Sequence, residues 1–193
     1  SLTRAGNHVV LVDCDLRRPR VHALLDIPSD VGFTSVLLGT TTMDQALQRV
    51  DDVPGLYVLP AGPIPPNPAE VLDSELAASR LRLLAQSADY VVIDSPPILP
   101  VSDSVALAAY TDATLMVVRA RTANRRAINR AMEILEQVGS PASGMILNGV
   151  SQDATYGYGY GYGSYRRYRR GGDGEPASDF AAPLPTPDDE AAT

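Results

Sequence analysis

Short, nearly unbroken apolar runs recur along the first 150 residues. Between them lie longer stretches in which apolar residues return every third or fourth place. The runs HVVLVD (8–13), LYVLP (56–60), YVVID (90–94), ATLMVV (113–118) and GMILNGV (144–150) are rich in β-branched residues. Runs of this kind, without alternation, predict strands covered on both faces, as in a parallel sheet. SELAASRLRLLAQSA (74–88) predicts a helix with Ser74 as N-cap and Leu76, Leu81, Leu83 and Leu84 available for an apolar face. TANRRAINRAMEILEQVG (122–139) predicts another, capped by Thr122, with Ile128, Met132 and Leu135 on one stripe and Gly139 at its stop. Shorter helices are predicted around 21–25, 34–38, 43–49 and 102–109. GPIPPNP (62–68) reads as a loop whose prolines fix its path. Alternating strands and helices over this length predict an α/β fold, a mostly parallel sheet with helices on both faces and right-handed crossovers.

The two ends of the chain break this pattern. SLTRAG (1–6) reads as the last turn of a helix closed by Gly6 and running straight into a strand, which predicts an upstream strand, loop and helix. Toward the other end, TYGYGYGYGSYRRYRR (155–170) holds six of the nine tyrosines, separated by glycines that oppose a helix and leave little surface for a core. DGEPASDFAAPLPTPDDEAAT has no periodicity and predicts disorder. The expected organisation is an α/β domain over 1–155, a Tyr/Gly/Arg tail over 156–170 and an acidic Pro/Ala-rich segment over 171–193.

Charge follows the same division. The net is −5 over 1–155, +4 over 156–170 and −6 over 171–193, and all sixteen basic residues are arginine. The acidic body and terminus argue against a strong nucleic-acid binder. The single cysteine, Cys14, permits no internal disulfide and points to a reducing, cytoplasmic setting. No apolar run approaches the ~18 residues that span a bilayer.

In an open parallel sheet, chemistry is done in the crevice beyond the carboxyl ends of the strands. Three aspartates belong there: Asp13 and Asp15 in LVDCDLRRP (11–19), and Asp94 in VVIDSPP (91–97). A single strand-end aspartate is more often a cap for the turn that follows. Three together are costly unless a cation compensates, and a hard ion such as Mg²⁺ suits one or two carboxylates plus phosphate oxygens. Asn148, ending the last strand, fits either a turn before Gly149 or the donor–acceptor edge of an adenine. Arg17, Arg18 and Arg20 stand equally well as phosphate contacts or as solvated loop residues. Arg125, Arg126 and Arg130 read as an exposed helix face, Cys14 as a buried filler, and His8 and His22 as structural.

The stretches 9–39, 56–84 and 89–120, with the tyrosine-rich tail, closely resemble bacterial tyrosine kinases that control capsular and exopolysaccharide synthesis. In that family LVDCDLRRP corresponds to a second Walker motif, A′, and VVIDSPP to Walker B. The resemblance implies a P-loop NTPase-like fold of deviant Walker type, with ATP and Mg²⁺ as cofactors. It further implies that Asp13, Asp15 and Asp94 organise the metal and the incoming hydroxyl; Asn148, Arg17 and Arg18 are the candidate nucleotide contacts. Tyr156, Tyr158, Tyr160, Tyr162, Tyr165 and Tyr168 become phosphoacceptors for a neighbouring subunit. The implied partners are further copies in a ring, a membrane adaptor or chain-length-determinant domain in cis or in trans, and a tyrosine phosphatase. The implied location is the inner face of the plasma membrane. One departure stands out: the family's G-x-x-x-x-G-K-[ST] loop needs a lysine, and this chain has none. The expectation is therefore a catalytic-domain fragment lacking its first strand and phosphate loop, and binding ATP poorly alone. The competing readings are a partitioning or septum-positioning type of ATPase switch, and a tail that stacks on single-stranded nucleic acid.

Overall fold

The computed structural model describes residues 1–150, opening on a single 3₁₀ turn, Thr3–Ala5, that Gly6 closes at φ +89°. This left-handed turn sends the chain directly into β1 (Val9–Asp13). There follow α1 (Val21–Leu25), α2 (Phe33–Leu37), α3 (Met43–Ala46), β2 (Gln48–Arg49), β3 (Leu56–Leu59), α4 (Pro68–Leu72) and α5 (Glu75–Ser87). The described part ends with β4 (Tyr90–Asp94), α6 (Asp103–Ala108), β5 (Thr114–Arg119), α7 (Arg125–Gln137) and β6 (Ala142–Asn148). All five predicted strands are present. The tyrosine cluster and the acidic terminus lie outside the described residues.

The strands form two sheets. One has the order β2-β3-β1-β4, with β1 parallel to both β3 and β4 and β2 antiparallel to β3; the other is the parallel pair β5-β6. The β1–β4 register is held at both ends. The His8 amide donates to Asp89 Oδ2 at 2.8 Å before the strands, and the Cys14 amide donates to the Asp94 carbonyl at 2.8 Å after them.

The core under the first sheet is built from Val10, Val12, Leu16, Phe33, Leu59, Leu72, Leu81 and Leu84. On α5 the buried stripe is Ala77, Ala78, Leu81 and Leu84, whereas Leu76 and Leu83 face solvent. The small alanines allow the helix to sit close to its neighbours, so only part of the leucine set is needed inside. A second cluster joins Met116 and Val118 of β5 to Ala131 and Leu135 of α7. The opposite side of β5 is bare, with Leu115 60% and Val117 62% exposed. Burial on both faces, expected from the apolar run, holds for β1 and not for β5.

Three local readings are corrected. The helix predicted over 43–49 stops at Ala46, where Leu47 turns to extended angles and Gln48–Arg49 pairs with Tyr57 and Val58. That extension lets Val50 join Val21 and Val58 in a third cluster. The proline loop gives way to helix α4 at Pro68, whose missing N–H and fixed φ suit the first helical position. The cap of α7 is Asn124, whose Oδ1 accepts from the Ala127 amide at 2.9 Å, in place of Thr122. Ser74 caps α5 as expected, its Oγ accepting from the Ala77 amide at 3.1 Å. Among the described residues, no helix is long and apolar enough to cross a membrane.

Candidate nucleotide and magnesium site

Asp13 and Asp94 are direct register partners at the carboxyl ends of neighbouring parallel strands. Paired residues of adjacent strands lie about 5 Å apart and project from the same face of the sheet. Asp15 follows on the loop leaving β1. The three carboxylates therefore share one rim, as the sequence predicts.

Their surroundings differ. Asp13 is fully buried, and both its oxygens accept backbone N–H groups: Oδ1 from Asp15 at 3.2 Å and Oδ2 from Val21 at 3.1 Å. Val21 begins α1, so Asp13 folds the loop 14–20 and ties it to that helix. Burial pushes the Asp13 carboxyl above its ordinary pKa, while the amides of Val21, Asp15 and Arg20 pull it back. Asp15 is half-buried, and its Oδ1 accepts from the amides of Arg17 at 3.2 Å and Arg18 at 3.0 Å. Its Oδ2 has no partner among the described residues. Asp94 is exposed, the most open of the three, and partial desolvation, followed by the charges of Asp13 and Asp15, raises its carboxyl above the ordinary pKa. The rim thus concentrates negative charge that a cation would relieve.

A caged metal site is not what these residues make. Among the described residues, no group of three His, Cys, Asp or Glu side chains is placed to hold a metal ion. Asp13, expected as a ligand, has both oxygens engaged by amides. Asp15 and Asp94 remain as hard oxygen donors, a set that fits Mg²⁺ when phosphate oxygens and waters complete its octahedron.

The other candidates separate clearly. Asn148 stands at the carboxyl end of β6, in the second sheet, and is exposed, its carbonyl accepting from the Ala120 amide at 2.9 Å. Arg18 is exposed. Arg17, expected near phosphate, instead grips Asp103: Nε lies 2.8 Å from Oδ2 and Nη2 3.0 Å from Oδ1. The sequence gives Asp103 no distinguishing mark. At the start of a helix an aspartate reads as a favourable first-turn acid, and nothing local reveals a partner 86 residues away. Cys14 is fully buried, and burial together with Asp13 and Asp94 pushes its thiol far up, which makes it an inert filler as expected. His8 stacks on Tyr57 with ring centroids 6.4 Å apart, a structural role. Arg130 pairs with Glu133 on the exposed face of α7.

No protein-family model matches the chain. It is 39% identical over 154 residues to tyrosine-protein kinase YwqD of Bacillus subtilis, covering 79% of this chain and 65% of that one. It is 33% identical over 159 residues to tyrosine-protein kinase CpsD of Streptococcus agalactiae, covering 81% of this chain and 68% of that one. Among solved structures, the kinase domain of Escherichia coli tyrosine kinase ETK superposes with a TM-score of 0.76 at 31% identity, over 83% of this chain and 63% of that one. The cell division ATPase MinD of Pyrococcus furiosus has a TM-score of 0.64 at 23% identity, over 78% and 64%, a likeness of fold alone. The chain thus spans 63–68% of these three kinases, and only 21% of a longer relative, tyrosine-protein kinase ptk of Acinetobacter johnsonii. With this identity, and with the paired aspartates of VVLVDCD and VVID set side by side on adjacent strands, the chain belongs to the bacterial tyrosine-protein kinase family.

Proposed function

We propose that this chain is the larger part of the catalytic domain of an ATP-dependent protein-tyrosine autokinase serving capsule or exopolysaccharide synthesis. The observation that carries the reading is the Asp13–Asp94 register pair with Asp15 beside it, at the sheet rim where such folds do their chemistry. Asp94 would hold Mg²⁺ on the nucleotide, and Asn148 would meet the adenine. Magnesium, when bound, neutralises charge on the phosphate oxygens. Asp15, through its unpartnered Oδ2, takes the phenolic proton as the tyrosine oxygen bonds to the γ-phosphorus and ADP leaves. Asp13 keeps the loop carrying Asp15 in place.

The acceptors are Tyr156, Tyr158, Tyr160, Tyr162, Tyr165 and Tyr168 of a neighbouring copy. Fifteen residues reach up to about 50 Å when extended, which suffices to enter another subunit's site. Each phosphate adds about −1.5 to −2 charges, so three outweigh the local +4 and turn attraction to an acidic body into repulsion. This would loosen a ring of subunits, and a tyrosine phosphatase would reset it. A membrane adaptor, in cis or in trans, would hold the assembly at the inner membrane face. These 193 residues hold no lysine, so the family's lysine-bearing phosphate loop would come from outside them, in keeping with a chain that spans 63–68% of the kinases compared above.

The test is to extend the chain with its native upstream coding sequence and incubate it with Mg-ATP. Phosphotyrosine should form and should vanish when the six tail tyrosines become phenylalanine. ATP hydrolysis without phosphotyrosine would favour a partitioning-type ATPase switch.

A further inference from the structure

Asp103 is fully buried, and a buried carboxylate is expensive unless it is paired and hydrogen-bonded. Its partner is the flat fork of Arg17, through two bonds at 2.8 and 3.0 Å, the geometry that fixes a guanidinium most rigidly. Arg17 lies two residues beyond Asp15, and its amide donates to Asp15 Oδ1 at 3.2 Å. One residue therefore holds Asp15 through its backbone and α6 through its side chain. The next residue of α6 reaches the other way. Ser104 Oγ donates to the Pro96 carbonyl, two residues after Asp94. The first two residues of α6 thus bind the chain leaving β1 and the chain leaving β4, whose ends already face each other in register.

We propose that Arg17, Asp103 and Ser104 form a brace that fixes Asp15 against Asp94, with Arg17 a positioning residue acting through Asp103 and not a phosphate ligand. The inference rests on the kinase reading for its consequence and on geometry alone for the brace. A carboxylate that must take a proton works only when held within a fraction of an ångström, and misplacement of about 1 Å costs up to ~10²-fold. Asp15 sits on a loop with one oxygen engaged by two amides. The Arg17–Asp103 contact is what keeps those amides pointed at it.

Two measurements test this together. In the upstream-extended chain, Arg17→Lys and Asp103→Asn should each slow single-turnover tyrosine phosphorylation by about tenfold to a hundredfold, with KM for Mg-ATP nearly unchanged. The double variant Arg17→Gln/Asp103→Asn, which leaves no unpaired buried charge, should be no slower than Arg17→Gln alone. A raised KM for Arg17→Gln with an unaffected Asp103→Asn would overturn the brace and make Arg17 a phosphate contact. In the 193-residue chain, Asp103→Asn should speed hydrogen exchange at the amides of Arg17 and Arg18 by about tenfold while leaving β1 protected. Unchanged exchange there would overturn the brace whatever the kinase assay gives. If the unmutated extended chain forms no phosphotyrosine, the kinase reading fails, and the exchange result still decides the brace.

Discussion

Asp13, Asp15 and Asp94 carry the same side chain at one rim, yet their neighbours give them different work. Asp13 is a folding carboxylate, since amides of Asp15 and Val21 take both its oxygens. Asp94 lies among like charges and is raised by desolvation and by Asp13 and Asp15. A carboxylate whose folded pKa is raised lowers stability as pH climbs from the ordinary carboxylate range through the raised value, and the cost is then constant. Removing that charge should therefore help folding at neutral pH. Asp94 is exposed, so solvent screens much of this cost, and Asp94→Asn is expected to raise the Tm of the isolated chain at pH 7 only slightly, with the gain shrinking to nothing as pH falls below the ordinary carboxylate range. The same substitution should abolish phosphorylation in the extended chain. A pH series of thermal melts checks the first outcome, and a lower Tm at pH 7 would contradict the charge crowding described for this rim.

Among the elements, α2 is seated on the loop after β3 by contact between backbones. The amides of Phe33 and Thr34 donate to the carbonyls of Pro60 and Ala61 at 2.8 and 3.0 Å, and Thr34 Oγ1 adds a bond to Ala61 at 2.9 Å. A Cβ on Gly32 would fall on the Pro60 carbonyl and the Gly62 amide, both rigid backbone. Gly32→Ala is thus expected to push α2 off the loop and to cost about 1–3 kcal/mol. For a chain of this size that is a Tm drop of roughly 2–10 °C, measurable by calorimetry. A change within 1 °C would mean that the loop yields freely. Another element, α6, acts at longer range, since Asp103 and Ser104 reach the chain beyond both β1 and β4.

At the level of the whole molecule, β4 and β5 are among the strand edges left unpaired within the described residues, with β2 and β6 the others. Apolar side chains on these strands stand exposed, with Tyr90 at 47%, Val92 at 42%, Leu115 at 60% and Val117 at 62%. A parallel strand joining β4 to β5 would pair both edges, and a helix beside it would cover the bare side of β5. Extension by the native upstream sequence is expected to raise the Tm and to slow amide exchange along β4 and β5 by at least about tenfold. It is also expected to bring ATP binding that calorimetry on the 193-residue chain does not detect at micromolar concentrations. Faster exchange on β4 after extension, or micromolar binding by the shorter chain, would count against an upstream phosphate loop.

Local signals account for what the amino-acid sequence determined by itself. Apolar runs marked all five long strands, Ser74 announced the start of α5, and Gly6 and Gly139 marked stops at φ +89° and +72°. The aspartates at strand ends were legible for the same reason, because a strand and the residue that ends it are contiguous. Partners distant in sequence were not legible. Only the tertiary structure paired Arg17 with Asp103 across 86 residues, gave both Asp13 oxygens to amides, and drew Gln48–Arg49 out of a helix to reach β3. Such contacts depend on which strands become neighbours, and that choice is made by packing of the whole domain.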